Sequence, residues 1–375
     1  MYQNRFIIGA TGKVGKTLIS QIFEKHDYDF AIHENPMRIM GLASSEYYLF
    51  SKHGLSKKEC EVFLENPKKY VKYTKLDEIY HLIKDDSTIK NMVFVDTTAS
   101  KEIVNFHLKV IGDSEFGIVT ANKNPITLES YEVFRKLTRN PWRYGYRCSA
   151  MAGADSITFL QDSVDINDPA KIIEGCFSGT LGFICTELEN GKKFSEIIKD
   201  AYEKGYTEPH PRDDLSGLDV ARKILVLART SGYAFNLNDI KVTPFIPEEY
   251  FKEDNALKFL KNMESLDNYF EKKMKNASEN NKTLRYVAKM DATDKNNKIL
   301  TVSLMEVEKN SDLGRLIGTS NKIVIVTESY PKEKPYTIQS SGAGLEVTAR
   351  NIRRDLLYQI KDRKVVWYNS INREL

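Results

Sequence analysis

The sequence is poor in cysteine, and its cysteines are widely spaced. None forms a CxxC pair or stands at a metal-ligand spacing from a histidine. The four are Cys60, Cys148, Cys176 and Cys185. The chain also lacks an apolar run long enough to cross a bilayer, and no secretory leader is recognisable at its start. We therefore expect a cytoplasmic protein of a reducing compartment that has no membrane partner.

An excess of charge of either sign is also missing. Lysine and arginine number 55 against 52 acidic residues, and no basic block stands apart from acidic neighbours. Proteins that bind nucleic acid usually concentrate positive charge on one face or tail, so we expect no nucleic-acid partner. The chain has 375 residues, 41% hydrophobic and 29% charged, which is enough for two globular domains.

The first third of the chain alternates between short apolar segments and segments with helical spacing. Strands are predicted at residues 5–8, 38–43, 91–96 and 116–120, and a helix at residues 14–23. Small polar residues follow several of these strands. The pattern is typical of an open parallel sheet, whose ligands bind beyond the carboxyl ends of the strands.

A glycine-rich turn joins the first strand to the helix that follows it. Gly9, Gly12 and Gly15 form a G-x-x-G-x-x-G pattern that also contains Lys13 and Val14. Such glycines let the backbone approach a pyrophosphate, and a helix N-terminus offers free N–H groups. The position between a strand and a helix favours dinucleotide binding over a simple tight turn.

The end of the second strand bears on the choice of dinucleotide. An acidic residue there would hold the ribose 2′-hydroxyl of NAD. This chain has Ala43, Ser44 and Ser45 instead, and Glu46 comes slightly late. The pattern favours NADP, or the use of both nucleotides. In the alternative interpretation the two serines only cap the next helix.

The pattern of the sequence changes from about Tyr146. Strands are predicted at residues 172–179, 284–290, 298–307 and 322–330, and helices begin near Ser195 and Ser216. Three of those strands follow one another, which favours antiparallel pairing. We therefore expect a second, α+β domain that begins near residue 148.

One polar stretch, KGYTEPHPRDDLSGLDVARK, carries the strongest functional signal. It contains Glu208, Asp214, Asp219 and Lys223, and Ser216 stands at capping-box spacing from Asp219. Asp219 and Lys223 are either a surface ion pair, or a cleft pair in which the carboxylate orients the lysine as a proton donor. Carboxylates beside a lysine can bind a small zwitterion and move a proton, as a dehydrogenase acting on an amino acid requires.

These residues resemble one family, the homoserine dehydrogenases. The likeness is greatest to the dehydrogenase half of bifunctional aspartokinase–homoserine dehydrogenases, and it runs nearly end to end. The motifs that carry it are VDTTAS, TANKNP, SGTLGFI, GYTEPHPRDDLSGLDVARK, LRYVAKMD and GAGLEVTA. No kinase or regulatory segment flanks them, so the resemblance implies a stand-alone dehydrogenase.

The resemblance implies an α/β fold. A Rossmann-like parallel-sheet nucleotide domain would span residues 1–148 and be completed by a C-terminal helix within residues 341–375. A central α+β domain for substrate binding and dimerisation would span residues 149–340. The implied reaction is the NAD(P)-dependent interconversion of L-aspartate 4-semialdehyde and L-homoserine, in threonine and methionine biosynthesis, by a homodimer.

Individual roles follow from the same resemblance. Lys223 matches the proposed acid/base lysine, and Lys123 matches the lysine between cofactor and substrate. Glu208, Asp214 and Asp219 match the acidic residues around the substrate amino group and Lys223. Together with the glycine and strand-end patterns, the predicted cofactor-binding residues are Gly9, Gly12, Lys13, Val14, Gly15, Ala43, Ser44, Ser45, Thr98, Lys123 and Gly342.

One segment departs from the family pattern. Relatives usually have a glycine-rich run that ends in proline, whereas this chain reads RCSAMAGAD, with Arg147, Met151 and Asp155 as the departures. In some relatives backbone carbonyls of this run hold a monovalent cation. The matching residues here are Arg147, Ala150, Ala152 and Ala154.

Two further hypotheses stay open beside homoserine dehydrogenase. One is a related amino-acid dehydrogenase with a shifted substrate, which the departures at residues 147–155 suggest. The other is a degraded homologue that binds nucleotide and serves as an assembly partner. The presence of all three predicted acidic residues with both lysines argues against the second hypothesis.

Overall fold

The computed structural model describes residues 2–359, which fold into two compact units. Of the described residues, the first unit contains residues 2–153 and 344–359, and the second contains Ala154–Ala343. The first unit begins with β1 (Gln3–Ile8), α1 (Lys13–Glu24), β2 (Met37–Ala43), β3 (Tyr47–Phe50), α2 (Lys57–Glu65), β4 (Val71–Lys72), α3 (Leu76–Lys84), β5 (Met92–Asp96), α4 (Val104–Asp113), β6 (Gly117–Thr120), α5 (Asn124–Thr127), α6 (Tyr131–Thr138) and β7 (Tyr144–Gly145). The second unit has α7 (Ser156–Asp165), β8 (Ile172–Cys176), α8 (Gly179–Glu189), α9 (Phe194–Glu203), α10 (Arg212–Leu215), α11 (Leu218–Thr230), β9 (Lys241–Val242), α12 (Ala256–Asn262), α13 (Asp267–Glu279), β10 (Lys282–Asp291), β11 (Ile299–Glu308), β12 (Ser320–Val326) and β13 (Tyr336–Ser341), after which α14 (Leu345–Tyr358) returns to the first.

The first unit is built on a seven-stranded sheet in the order β4-β3-β2-β1-β5-β6-β7. Strands β2, β1, β5, β6 and β7 are neighbours in this sheet and run parallel. Strand β3 pairs antiparallel with β2, and β4 pairs antiparallel with β3. Ile8 lies opposite both Ala43 and Asp96, and Asp96 lies opposite Thr120. Because four strands end in register, the residues that follow them meet at one edge of the sheet.

Apolar spacing explains why α1 and α14 belong to this unit. Every residue of β1 is buried, as expected of a central parallel strand covered on both faces. Leu18 and Ile22 of α1 join the same hydrophobic core as Ile352 of α14. A polar contact also links the two helices, since Gln21 Nε2 donates to Glu346 Oε2 at 2.6 Å. The last described helix therefore supports the helix that follows the glycine turn.

The second unit is built on a six-stranded sheet in the order β13-β12-β8-β10-β11-β9. Its strands pair antiparallel except for the short parallel pair of β11 and β9. The helices α8, α11 and α13 all contact β10. This is an α+β arrangement beside the parallel α/β arrangement of the first unit, and the predicted fold class is confirmed.

Several predicted boundaries differ from the observed ones. The strand predicted at residues 172–179 ends at Cys176, because Ser178 accepts a hydrogen bond from the Leu181 N–H and so caps α8. The strand predicted at residues 322–330 ends at Val326, where a turn begins. The chain divides after Gly153, close to the predicted boundary at residue 148. Part of the predicted C-terminal segment, residues 360–375, lies outside the described residues.

The described part of the chain contains no helix with the length and apolar character that a membrane crossing needs. Within the same residues there is no cluster of histidine, cysteine and carboxylate side chains suited to a metal ion. All four cysteines are buried and free. Burial raises the pKa of Cys176 and Cys185 to about 12, so these thiols stay protonated at neutral pH.

Candidate active site

A cavity of about 1040 Å³ opens in the first unit, beyond the carboxyl ends of β1, β2 and β5. This edge of a parallel α/β sheet is where dinucleotides bind, and the cavity is large enough for one. Among its lining residues are five that the sequence predicted as cofactor-binding: Gly9, Gly12, Ser44, Ser45 and Thr98. The predicted residues Lys13, Val14, Gly15 and Ala43 are chain neighbours of this lining and do not themselves contribute to it.

The glycine turn has the tight geometry that its sequence requires. Gly9 has a φ of +78°, a region that favours glycine, and a Cβ on it would lie 3.0 Å from Thr97 Oγ1 and from Thr98 Cγ2. A Cβ on Gly15 would lie only 2.6 Å from the Gly9 carbonyl oxygen. Gly12 is the N-cap of α1 and has no side chain to occupy the first N–H groups of that helix. These N–H groups are suited to an anionic phosphate.

Ser44 and Ser45 lie in the turn between β2 and β3, so the alternative interpretation that they cap a helix is wrong. Ser44 Oγ donates to the Tyr47 carbonyl at 3.1 Å, and the Ser44 carbonyl accepts from Tyr73 Oη at 2.7 Å. Both serines line the cavity, and Glu46 does not. The strand end therefore presents hydroxyl groups to the cavity, and no carboxylate.

Lys75 is a cavity residue that the sequence patterns did not reveal. It directly precedes α3, it is exposed, and it is the one cationic side chain among the described residues that line the cavity. The nearby acid Asp77 already has a partner, since Lys109 Nζ lies 2.7 Å from its carboxylate. Only the topology of the sheet brings Lys75 beside the end of β2, which is why no local pattern identifies it.

A buried carboxylate, Asp96, fixes the loop that follows β5, and this residue also escaped the sequence patterns. Its Oδ1 accepts from Thr98 Oγ1 at 2.7 Å and from the Thr98 N–H at 2.9 Å. Its Oδ2 accepts from Thr120 Oγ1 at 3.0 Å and lies 3.4 Å from His107 Nε2. Burial alone would raise the pKa of Asp96, but the contacts with His107 and Thr98 outweigh it and lower the pKa. Asp96 is thus an anionic anchor for Thr98.

Lys123 lies in the loop after β6, immediately before α5, and its side chain is half-buried. This loop is bound to the loop after β5 on both sides of the lysine. Asn122 Nδ2 donates to the Ser100 carbonyl at 2.8 Å, and Asn124 Nδ2 donates to the Ala99 carbonyl at 3.0 Å. The structure therefore brings Lys123 to the same edge of the first sheet as the cavity.

Lys223 is the central residue of the polar stretch in the second unit. Its side chain is 11% exposed, its Nζ donates to the Phe177 carbonyl at 2.6 Å, and its Nζ lies 2.9 Å from Asp219 Oδ2. An ammonium group has three donors, so these contacts leave one that can serve a ligand oxygen. The lysine of this pair is mostly buried while the Asp219 side chain is 48% exposed, and the cleft interpretation stays a prediction.

Asp214 lies beside this pair and is held by two donors. Thr180 Oγ1 donates to its Oδ1 at 2.9 Å, and the Glu208 N–H donates to its Oδ2 at 2.8 Å. Burial raises the pKa of Asp214, and the neighbouring carboxylates Glu208 and Asp219 raise it further, against the lowering effect of the two hydrogen bonds. The three predicted acidic residues therefore interact electrostatically, and a positively charged ligand group would relieve their repulsion.

The predicted capping box at Ser216 is wrong. The helix α11 begins at Leu218 after Gly217, which has a φ of +74°, and Ser216 ends the preceding short helix instead. A Cβ on Gly217 would lie 2.0 Å from Tyr286 Oη, so the turn requires glycine. The error leaves the ion pair intact, because the acid and the lysine remain four residues apart on α11.

Comparison with known proteins now identifies the family. The family model for homoserine dehydrogenase matches residues 157–357 of the chain. Homoserine dehydrogenase of Saccharomyces cerevisiae is 33% identical over 290 residues, which cover 75% of this chain and 78% of the yeast protein. The chain belongs to the homoserine dehydrogenase family.

Longer relatives share the same segment. Bifunctional aspartokinase/homoserine dehydrogenase 1 of Zea mays is 33% identical over 94% of the chain, and the chain spans only 38% of its length. For the Haemophilus influenzae bifunctional protein the identity is 31% over 94% of the chain, and 42% of the bifunctional protein is spanned. The chain thus covers about two-fifths of these relatives.

Solved structures share the fold. A Candida auris protein of unknown function superposes with a TM-score of 0.82 at 29% identity, covering 96% of this chain and 98% of that one. A hyperthermophilic archaeal homoserine dehydrogenase in complex with NADPH gives 0.69 at 20% identity, covering 95% and 97%. At 20% identity, the likeness to the archaeal structure establishes only that the two proteins share a fold.

The remaining predicted residues of this family member are divided between the units. Arg147, Ala150 and Ala152, predicted as carbonyl ligands of a cation, lie in the first unit, and Ala154 is the first residue of the second. Gly342 also lies in the second unit, at a position where Asn321 leaves no room for a Cβ. The roles of these residues stay predictions.

Proposed function

We propose that this protein is an NAD(P)-dependent homoserine dehydrogenase that interconverts L-aspartate 4-semialdehyde and L-homoserine. The observation that carries the proposal is the position of Lys223, held between the Phe177 carbonyl and Asp219 in a mostly buried site beside a cluster of carboxylates. Membership of the homoserine dehydrogenase family supports the same activity.

The proton step belongs to Lys223. A bound nicotinamide would supply the hydride to the carbonyl carbon of the substrate, and the carbonyl oxygen would then carry the negative charge of an alkoxide. The ammonium of Lys223 stabilises this developing charge and then donates its proton, and in the reverse direction the neutral amine accepts the hydroxyl proton. The Phe177 carbonyl and Asp219 fix where the ammonium lies, since together they hold two of its N–H groups.

The acidic cluster would recognise the amino group of the substrate. Asp214 is held rigidly by Thr180 and by the Glu208 N–H, so its free lone pairs are directed before a ligand arrives. Carboxylates that repel one another gain from an ammonium placed among them. This accounts for Glu208 and Asp214, two acidic side chains that the proton transfer at Lys223 does not use.

We further propose that NADP is the preferred nucleotide. Ser45 and Lys75 both line the cavity, Glu46 does not, and a ribose 2′-phosphate beyond β2 would meet a hydroxyl and an ammonium. Replacing Lys75 by alanine should weaken NADPH binding about tenfold while leaving NADH binding unchanged, because one charge-assisted contact to phosphate is lost. Lys68→Ala removes an exposed lysine that does not line the cavity and serves as the control.

The activity itself is tested by the absorbance of reduced nicotinamide while the purified protein oxidises L-homoserine at alkaline pH, with NADP and NAD in parallel. We expect turnover with the wild type and loss of nearly all turnover in Lys223→Ala, whose fold is checked by circular dichroism. Turnover only of another amino alcohol would establish the shifted substrate. A folded protein that reduces neither nucleotide with any of these substrates would refute the proposal.

The assembly and location implied by the family stay predictions. We propose a cytoplasmic homodimer, with the second unit providing the dimer contact. Sedimentation equilibrium of the purified protein measures its mass directly, and a species of a single chain at micromolar concentration would contradict the dimer.

A further inference from the structure

The segment at residues 147–153 is bound by side chains of α14. Asn351 Nδ2 donates to the Ala152 carbonyl at 2.8 Å. Arg354 Nη2 donates to the adjacent Gly153 carbonyl at 2.6 Å. Two neighbouring carbonyl oxygens of the run therefore already receive donors from α14. Ala152, which the neutral Asn351 contacts, is one of the predicted cation ligands, and Gly153, which Arg354 contacts, lies next to it.

The other carbonyls of the predicted cation site are also engaged. The Ala150 carbonyl accepts from the Gly153 N–H at 3.0 Å, and the Ala154 carbonyl accepts from the Ser156 N–H at 2.8 Å. With Ala152, three of the four predicted ligands thus have a donor within the chain. A backbone carbonyl oxygen has two lone pairs, so each of these three has one fewer for a sodium or potassium ion, and the run is less suited to such an ion than one with unoccupied carbonyls.

The charged side chains around the run also disfavour the binding of a monovalent cation. Arg147 Nη1 lies 3.0 Å from Asp355 Oδ1, and the Arg147 N–H donates to Asp355 Oδ2 at 3.0 Å. Asp355 is only 1% exposed and interacts electrostatically with both Arg147 and Arg354, so one carboxylate faces two guanidinium groups and the fixed charge beside these carbonyls is net positive. A guanidinium held beside these carbonyls repels a second cation.

The backbone of the segment depends on these tethers. Met151 and Ala152 have φ values of 47° and 50°, which non-glycine residues rarely adopt. Gly153 follows at 92°, and a Cβ there would lie 2.5 Å from Asn351 Cβ. Because such a turn is strained, something must hold it, and Asn351 and Arg354 contact it at its two successive carbonyls.

We propose that Asn351 and Arg354, through the Ala152 and Gly153 carbonyls, hold in this chain the run that a monovalent cation would hold in relatives. The guanidinium supplies the positive charge and the directed donors that hold the turn at residues 151–153. The stability of the protein, and any dehydrogenase activity that it has, are then independent of sodium and potassium. The prediction about activity rests on the proposed function, and the prediction about stability does not.

The stability of the wild-type protein in different salts tests the proposed independence from sodium and potassium. Its melting temperature is measured in choline chloride, sodium chloride and potassium chloride at equal ionic strength, with and without NADPH. We expect the same melting temperature in all three salts. A rise that saturates with potassium or sodium, and not with choline, would overturn the proposal whether or not homoserine is a substrate.

Single substitutions test whether Arg354 is the residue that stabilises the turn at residues 151–153. Arg354→Ala should lower the melting temperature in choline chloride and regain part of it with millimolar ethylguanidinium, because the small cation can occupy the vacated position. Arg139→Ala, which removes an exposed arginine from the same unit, should show neither change. An Arg354→Ala protein that melts like the wild type in choline chloride would overturn the role of Arg354. If Arg354→Ala does not fold without ethylguanidinium and folds with it, the proposal is supported.

Discussion

At the scale of single residues, burial distinguishes Lys223 from a lysine in an exposed helix ion pair. Lys223 and Asp219 have the spacing of an ordinary helix ion pair, which on a surface contributes about 0.5 kcal/mol or less. What changes the interpretation is the Phe177 carbonyl, which accepts from Lys223 at 2.6 Å and draws the ammonium out of solvent. The Phe177 carbonyl, which follows the last residue of β8, has no counterpart in the spacing of side chains, so both interpretations remained open from the sequence alone.

Asp219→Asn tests whether the pair acts in catalysis. The amide keeps the shape but loses the charge that holds the ammonium, so we expect kcat to fall about 10- to 100-fold with a smaller change in KM. Steady-state kinetics with homoserine and NADP measure both constants. Asp213→Asn removes an exposed carboxylate of the same stretch and should behave like the wild type. An unchanged kcat in Asp219→Asn would show that the pair is only structural.

At the scale of elements, local rules predicted what local contacts determine. The sequence predicted a strand, a glycine turn and a helix at the start of the chain from an apolar segment, three glycines and apolar helical spacing. The structure contains all three elements, as β1, the turn at Gly9 and α1. The start of α11 was predicted wrongly because Gly217 is required by Tyr286, which is distant in sequence. The role of the serines after β2 was left open for the same kind of reason, since it depends on β3 pairing with β2.

Gly15→Ala tests the glycine turn as an element. A Cβ there would lie 2.6 Å from the Gly9 carbonyl oxygen and 2.8 Å from Ala10 Cα, and neither is a flexible side chain. We expect a loss of about 1–3 kcal/mol in the free energy of unfolding and at least tenfold weaker NADPH binding, because the turn must open. Chemical denaturation and fluorescence titration measure these quantities.

The matched control is Gly112→Ala, also within a helix of the first unit. A Cβ on Gly112 would meet nothing within 4 Å. We expect this variant to be about 0.5–1 kcal/mol more stable than the wild type, since alanine reduces the freedom of the unfolded chain, and to bind NADPH normally. If both variants lost NADPH binding equally, the close packing of the turn would not be the cause.

The contact between α14 and the loop after α1 gives a pH-dependent prediction. Asp27 is 1% exposed and lies 2.5 Å from Arg353 Nε. Burial alone would raise the pKa of Asp27, but the contacts with Arg353 and His33 lower it below 3.8. The ionised carboxylate therefore stabilises the fold above pH 3.8, and this contribution is lost as the pH falls through the lowered pKa.

Asp27→Asn should accordingly reduce the free energy of unfolding by about 3 kcal/mol at neutral pH, since it leaves Arg353 mostly buried without its counter-charge. The difference from the wild type should shrink as the pH falls below 3.8. Urea denaturation across this range measures it, with Asp113→Asn, an exposed carboxylate of the same unit, as the control. A difference independent of pH would show that lost packing, and not charge, is responsible.

At the scale of the whole molecule, the predicted site residues are divided between the two units. The cavity and its glycine turn belong to the first unit, and Lys223 with the acidic cluster belongs to the second. Sequence patterns found residues of both groups, because glycines and dense charge are visible in a linear sequence. Lys75, Asp96 and the Phe177 carbonyl were found only in the structure, since pairing of distant segments gives them their positions.

This division predicts that nucleotide binding and turnover can be removed separately. NADPH at a hundred times its Kd should stabilise the wild type by about 2.7 kcal/mol, because it binds only the folded protein. Lys223→Ala should keep this stabilisation while losing turnover, since Lys223 lies outside the unit that contains the cavity. Gly15→Ala should lose both. Thermal denaturation of each variant with and without NADPH measures the effect, and a Lys223→Ala protein that no longer responds to NADPH would show that the second unit contributes to holding the nucleotide.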